Sequence, residues 1–130
     1  MGAFDLLRIA GSALGVHQTW LDTLASNIAN VNTVTRTSQD AFQAQMLIVR
    51  SAAGGGVEVA GIAESGPEGR LVSDPGNPLA DEDGYVRAPD MDLSSQMTQL
   101  VMAQRGFQAA VQVTKDAQDT YQSALQIGRA

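Results

Sequence analysis

Residues 4–31 read FDLLRIAGSALGVHQTWLDTLASNIANV, and the spacing of their apolar positions decides the fold. Leu7, Leu14, Leu21 and Ile28 recur every seven residues, and Ala10, His17, Leu24 and Val31 form a second row three positions further on. Two rows in a seven-residue repeat are the seam of a helix that packs lengthwise on another helix. Gly11 and Gly15 each cost such a helix about 1 kcal/mol relative to alanine, so its first half is expected to depend on a partner. Asn27, Asn30, Asn32 and Thr33 signal its end, because asparagine accepts left-handed backbone and its side chain competes for backbone groups. The helix is expected to stop between Asn30 and Thr33.

A second long helix is expected to start near Asp90 or Asp92, either of which can cap it and favour the positive end of its dipole. Its apolar face reads Leu93, Met97, Leu100, Phe107, Val111, Tyr121 and Leu125. Beside that face runs a row of small residues at strict spacing, Ala103, Ala110, Ala117 and Ala124, which lets another helix approach closely. Eight glutamines (Gln96, Gln99, Gln104, Gln108, Gln112, Gln118, Gln122 and Gln126) give it polar but uncharged faces that suit close packing among like copies.

Between the helices the pattern changes to alternation and turns. Phe42, Ala44, Met46 and Ile48 alternate with Gln43 and Gln45 as one strand; Val57-Glu58-Val59, Leu71-Val72 and Tyr85-Val86 are shorter candidates. Gly54-Gly55-Gly56, Ser65-Gly66-Pro67-Glu68-Gly69, Asp74-Pro75-Gly76-Asn77-Pro78 and Asp83-Gly84 separate them. The fold class that follows is mainly α with a small β-rich insertion, two long terminal amphipathic helices packing as a coiled-coil hairpin. Residues 1–33 form the N-terminal helix, 34–90 a turn-rich, β-containing middle and 91–130 the C-terminal helix, the two helices making one discontinuous domain.

Composition narrows the function. The 130 residues suit one domain, and with aromatics at 5% the core is built from Leu, Val, Ile, Met and Ala, which is thin for a globular catalyst. There is no cysteine, hence no thiolate chemistry. The net charge is -6 and Lys115 is the only lysine, which argues against a nucleic-acid partner. The surplus lies in residues 58–92, where nine acids face Arg70 and Arg87, so a solvated acidic middle separates two nearly neutral ends. No cleavable signal is visible, because Asp5, Arg8, Gly11, Ser12 and Gly15 interrupt the apolar start. No run approaches the roughly 18 apolar residues of a membrane span, so no direct membrane insertion is expected.

Each candidate for chemistry reads better as structure. His17, the only histidine, lies on the apolar face with no acid in helical register, as a core or interface histidine. Asp81-Glu82-Asp83 is a run, without the alternating spacing of a calcium loop, and reads as a solvated turn. Gly54-Gly55-Gly56 lacks the Lys-Ser/Thr of a phosphate loop and reads as a flexible joint. Ser73, Ser94 and Ser95 have no available base. No cofactor, metal or enzymatic activity is expected. The apolar stripes are wider than one hairpin seam, since Leu6, Ile9, Val16, Val101 and Val113 fall outside it. A monomer would leave that surface exposed, which points to self-association or assembly with homologous helices. The residues expected to carry it are Leu7, Leu14, Leu21, Leu24, Asn27, Ile28, Asn30, Leu100, Ala103, Phe107, Ala110, Val111, Tyr121 and Leu125. The competing class is a small helical binding or chaperone-like module acting through the same helices.

The segment Ala25-Ser26-Asn27-Ile28-Ala29-Asn30-Val31-Asn32-Thr33 resembles the N-terminal signature of the flagellar axial family, the rod and hook proteins of the bacterial flagellum. Gly11-Ser12-Ala13-Leu14, Asp74-Pro75-Gly76-Asn77-Pro78-Leu79-Ala80, Gly84-Tyr85-Val86 and the stretch from Met91 to Leu125 extend the resemblance over nearly the whole chain. It implies a structural subunit of the proximal rod, stacked helically with its terminal helices as a coiled-coil layer around a central export channel and transmitting torque for motility. It implies as partners the protein itself and other proximal and distal rod proteins, the membrane-ring and rod-adaptor proteins, and the flagellar type III export apparatus. The implied location is the periplasm-spanning basal body, reached without a cleavable signal peptide.

Overall fold

The computed structural model describes residues 2–129. In chain order it contains α1 (Ala3–Ala29), β1 (Gln45–Ser51), β2 (Val57–Glu64), β3 (Arg70–Ser73), β4 (Tyr85–Ala88) and α2 (Leu93–Ile127). The protein is thus mainly helical with a small β insertion. At 27 and 35 residues the helices are ~40 Å and ~52 Å long. Among the described residues no helix is long and apolar enough to cross a membrane.

α1 ends at Ala29, one residue before the expected stop between Asn30 and Thr33, with Asn27 inside its last turn. Asn30, Val31 and Thr33 donate to the carbonyls three residues back, and Asn30 Nδ2 donates to the Ser26 carbonyl at 2.9 Å, which closes the last turn. α2 starts as anticipated: Asp92 Oδ2 accepts from Ser95 N–H at 2.9 Å, and the Asp92 carbonyl accepts from Gln96 N–H. Asp90, the alternative cap, stays exposed.

The strands form two separate two-stranded sheets, β1 with β2 and β3 with β4. In the second, antiparallel sheet Arg70 faces Ala88 and Ser73 faces Tyr85. The first strand begins three residues later than the alternation from Phe42 suggests. Ala41 donates to the Pro67 carbonyl, Ala44 N–H to Ser65 Oγ and Gln43 Nε2 to the Ser65 carbonyl, so a serine side chain and a glutamine side chain take the places of ladder bonds.

The chain divides into two compact units. The first comprises residues 1–21, 47–61 and 101–130. Here α1 and α2 meet along small residues: Ala10, Ala103, Ala110 and Ala117 are buried, whereas Leu7, Leu14, Leu21, Phe107, Val111 and Tyr121 are only half-buried. Ala124, the fourth member of the expected row, is exposed. The reason is length. His17 packs on Gly106, and counting back along antiparallel helices brings Ala3 level with about Thr120, so the last turns of α2 outrun α1. Gly106 has to be glycine for this approach, because a Cβ there would overlap the His17 ring.

The second unit comprises residues 22–46 and 62–100, with Leu24, Asn27, Ala41, Ala44, Val86, Ala88 and Pro89 at its centre. Val86 and Ala88 point inward while Tyr85 and Arg87 alternate outward, the period of a half-buried strand. Arg87 ties this unit together. Its backbone exchanges two hydrogen bonds with Thr35, and its guanidinium donates to the carbonyls of Thr37 and Glu68.

The acidic turn before β4 is solvent-exposed as expected, yet Asp81 does structural work the spacing did not announce. Its Oδ1 accepts from the N–H groups of Asp83 and Tyr85 at 3.0 and 2.9 Å, and its Oδ2 from the Thr37 hydroxyl at 3.0 Å. The Tyr85 N–H is the main influence holding this carboxyl below the ordinary aspartate range; partial loss of water opposes it, and Thr37, Asp83 and Gly84 assist. A depressed folded-state pKa means that the turn's extra stability is present above the unfolded aspartate value and is lost as pH falls through the folded one. The expected result of a carboxyl NMR titration is an Asp81 midpoint below the roughly 3.9 of an unstructured aspartate, moving upward in Thr37→Val. A midpoint at or above the peptide value would remove this role.

Candidate functional site

The first unit contains a cavity of about 340 Å³ lined by Ala10, Ala13 and His17 of α1 and Gly106, Ala109, Ala110 and Val113 of α2. His17 is the only titratable group in it. Its Nδ1 donates to the Ala13 carbonyl at 2.8 Å, the bond a helical histidine makes to its own preceding turn, and its ring tilts 49° against Trp20 with centroids 6.3 Å apart. No carboxylate lines the cavity beside it. Among the described residues no group of three or more His, Asp or Glu side chains is placed to hold a metal. His17 is a packing residue whose flat ring fills the space over Gly106.

What the molecule offers instead is apolar surface. α2 leaves Leu93, Met97, Val101, Met102, Val113, Leu125 and Ile127 exposed, and Phe4 of α1 is exposed as well. At about 100° per residue, Leu93 and Met97 fall on one flank of the buried alanine row, Met102, Val113 and Ile127 on the other, and Val101 opposite to it. A single subunit therefore buries one narrow stripe of α2 and presents large side chains on both sides of that stripe. Exposed Val113 (50%), Met102 (57%) and Ile127 (76%) are too many on one helix to be scattered surface residues.

The fourteen residues expected to carry assembly divide accordingly. Leu24, Asn27, Ala103 and Ala110 are buried inside the subunit and have little surface to offer a neighbour. Asn27 is the clearest departure from expectation: its amide donates to the Gln45 carbonyl and to Gln96 Oε1 and accepts from Gln45 N–H, so every bond it makes is internal. Asn30 closes α1 and accepts from the Thr33 hydroxyl. Leu7, Leu14, Leu21, Ile28, Leu100, Phe107, Val111 and Tyr121 are half-buried, and Leu125 is exposed. The first unit brings together Leu7, Leu14, Leu21, Phe107, Val111 and Tyr121, and the second brings together Leu24, Ile28 and Leu100. Val101 and Val113 were visible in the sequence as lying outside the seam; Met102 and Ile127 were missed, although neither fits the seven-residue rows and that misfit was the available signal.

Gly54-Gly55-Gly56 is likewise not the loose joint its composition suggested. It is a closed turn held by hydrogen bonds from Arg8 and by the Ser12 hydroxyl.

Comparison with known proteins converges on the same two helices. The family described as flagella basal body rod protein matches residues 7–35, which is α1 and its closing turns, and the C-terminal family of flagellar basal body rod FlgEFG protein matches residues 82–127, from the acidic turn through β4 and α2. The flagellar basal-body rod protein FlgC of Yersinia enterocolitica is 37% identical over 134 residues, covering 99% of this chain and all of the relative. That of Escherichia coli O157:H7 is 36% identical with the same coverage, and that of Bacillus subtilis strain 168 is 30% identical over 151 residues, again covering 99% of the chain and all of the relative. Two helices built to present apolar flanks, and full-length relatives that are rod proteins, make this chain a structural subunit of the flagellar basal-body rod that belongs to the FlgC family.

Proposed function

We propose that the subunit stacks helically in the proximal rod, with residues 1–33 and 91–130 joining those of its neighbours in a coiled-coil layer around the export channel. Residues 34–90 face outward or toward adjacent subunits, and the resulting tube spans the periplasm and transmits torque. Its partners are further copies, the other proximal and distal rod proteins, the membrane-ring and rod-adaptor proteins, and the flagellar type III export apparatus that delivers it. The observation that carries this reading is the set of large apolar side chains that α2 leaves uncovered in a single subunit, Met102, Val113 and Ile127 on one flank above all. Burying them between neighbours recovers roughly 25 cal/mol for each Å² of apolar surface removed from water. The half-buried row of Leu7, Leu14, Leu21, Ile28, Leu100, Phe107, Val111 and Tyr121, with Leu125, completes the shared surface.

Val113→Glu tests this. Position 113 is half exposed in the subunit, so a charge there leaves the single chain folded, yet it places an unpaired carboxylate in any shared layer. The expected outcome is secretion of the variant at native levels with no rods in cryo-electron tomograms of basal bodies and no swimming. Phe107→Glu should behave in the same way. Normal rods and normal swimming in both variants would refute the assembly surface.

A further inference from the structure

The two edges of the β3–β4 sheet differ. Pairing sets Leu71 opposite Arg87 and Ser73 opposite Tyr85. Arg87 exchanges both of its backbone hydrogen bonds with Thr35. Tyr85 spends its own on Asp81, donating its N–H to Oδ1 and accepting from Asp81 N–H at its carbonyl, each at 2.9 Å. The outer edge of β4 is therefore closed at both positions. Where one member of an antiparallel pair bonds outward, so must the one facing it, and the N–H and C=O groups of Leu71 and Ser73 point away from β4. No described residue takes them. Side chains do not cover this edge either, since Leu71 is 59% exposed and Arg70 and Ser73 are exposed.

An open edge specifies its occupant by chemistry. Unpaired N–H and C=O groups two residues apart match an extended backbone, and the bare Leu71 side chain favours an apolar neighbour on it. The chain itself carries such a strand. In β1, Gln45 gives its N–H and C=O to Asn27, whereas Ala52, of the opposite parity, donates to the Gly56 carbonyl on the β2 side. Leu47 and Val49 share the parity of Gln45, so their backbone groups face away from β2, again without a described partner. β1 exposes Ile48 and Val49 and contains no acid, while β3 lies within the acidic residues 58–92, so bringing the two together adds no like charge.

We infer, given the stacking of copies proposed above, that the β3 edge of one copy takes the β1 edge of the next as an added strand. The two edges are unlike surfaces, so the contact runs head to tail and continues from copy to copy instead of closing a dimer. Leu71 and Ser73 on one side and Leu47 and Val49 on the other supply the new rungs.

Cross-linking in assembled rods tests this, and the absence of cysteine from the chain removes its own background. Val49→Cys and Leu71→Cys, each on its own copy, are expressed together in cells that also carry the native chain, and their purified basal bodies are treated with a short bis-maleimide. The expected result is a covalent dimer of the chain in the mixed strain and none where either variant is expressed alone. Rods that contain both variants yet give no dimer overturn the pairing. A dimer from Leu71→Cys alone, which means β3 meeting β3, overturns it too. A second measurement addresses the backbone itself. Ser73→Pro deletes the outward N–H and leaves the bonds to β4, a replacement that edge strands accept, so it should abolish the rods and swimming that Ser73→Ala retains. Normal rods in Ser73→Pro, or loss of rods in Ser73→Ala as well, overturn the pairing. These failures are distinct from failure of the helix layer, which Val113→Glu and Phe107→Glu report.

Discussion

Leu24→Ala is expected to lower the stability of the isolated chain by about 2–4 kcal/mol, the largest loss of any single apolar truncation in α1. Leu24 is 2% exposed in the second unit, so truncation removes buried apolar atoms and leaves a cavity in their place. Urea unfolding followed by circular dichroism measures the loss directly. Leu21→Ala and Phe107→Ala provide the contrast. Both belong to the same seven-residue rows, but they are half-buried, so each should cost the single subunit less than Leu24 does. A Leu24→Ala variant no less stable than Leu21→Ala would mean that the second unit is not organised around this residue.

Removal of the Asn27 side chain should be similarly costly, about 2–4 kcal/mol for Asn27→Ala, for a different reason. Asn27 is 1% exposed and bonds both the N–H and the carbonyl of Gln45, at 2.9 and 2.8 Å, as the neighbouring strand of a ladder would do. Truncation leaves a donor and an acceptor of half-buried Gln45 without protein partners, and the cost of orphaned groups can exceed the value of the bonds themselves. Gln96→Ala removes only the third partner, whose own side chain is half-buried, and should cost no more than about 1 kcal/mol. Equal losses for Asn27→Ala and Gln96→Ala in urea unfolding would show that the Gln45 bonds contribute nothing.

Both cases show what local pattern carries. Seven-residue rows located α1 and α2, and of the two caps the sequence offers, Asp90 and Asp92, the second starts α2, because periodicity and capping act within a few residues of chain. The same rows did not say which side chains would be covered. Leucine and phenylalanine occupied the seam positions, yet alanines were buried, since coverage depends on how closely the partner helix approaches, and Gly106 beneath His17 sets that approach. Asn27 sits in the segment that resembles the N-terminal signature of the flagellar axial family, but its bonds reach Gln45 and Gln96, 18 and 69 residues away, a pairing no spacing rule contains. Asp81 and the three glycines follow the same logic: exposed composition made them look solvated and loose, and their partners Thr37, Arg8 and Ser12 lie over 40 residues away in sequence. Of the candidate surface, the rows and the misfits Val101 and Val113 were legible; the inward turn of Leu24, Asn27, Ala103 and Ala110 was not.

The alanine seam also bears on how the helix pair responds to force. A seam of long side chains yields to sideways load by switching rotamers, each switch being a small, lossy step. Ala10, Ala103, Ala110 and Ala117 have no rotamers to switch and lose no side-chain entropy when they are buried. Displacement along such a contact has to be taken up by the two backbones directly, so the pair is elastically stiff even though it is thinly glued. In a structural rod subunit, methyl groups meeting backbone thus trade strong adhesion for small backlash.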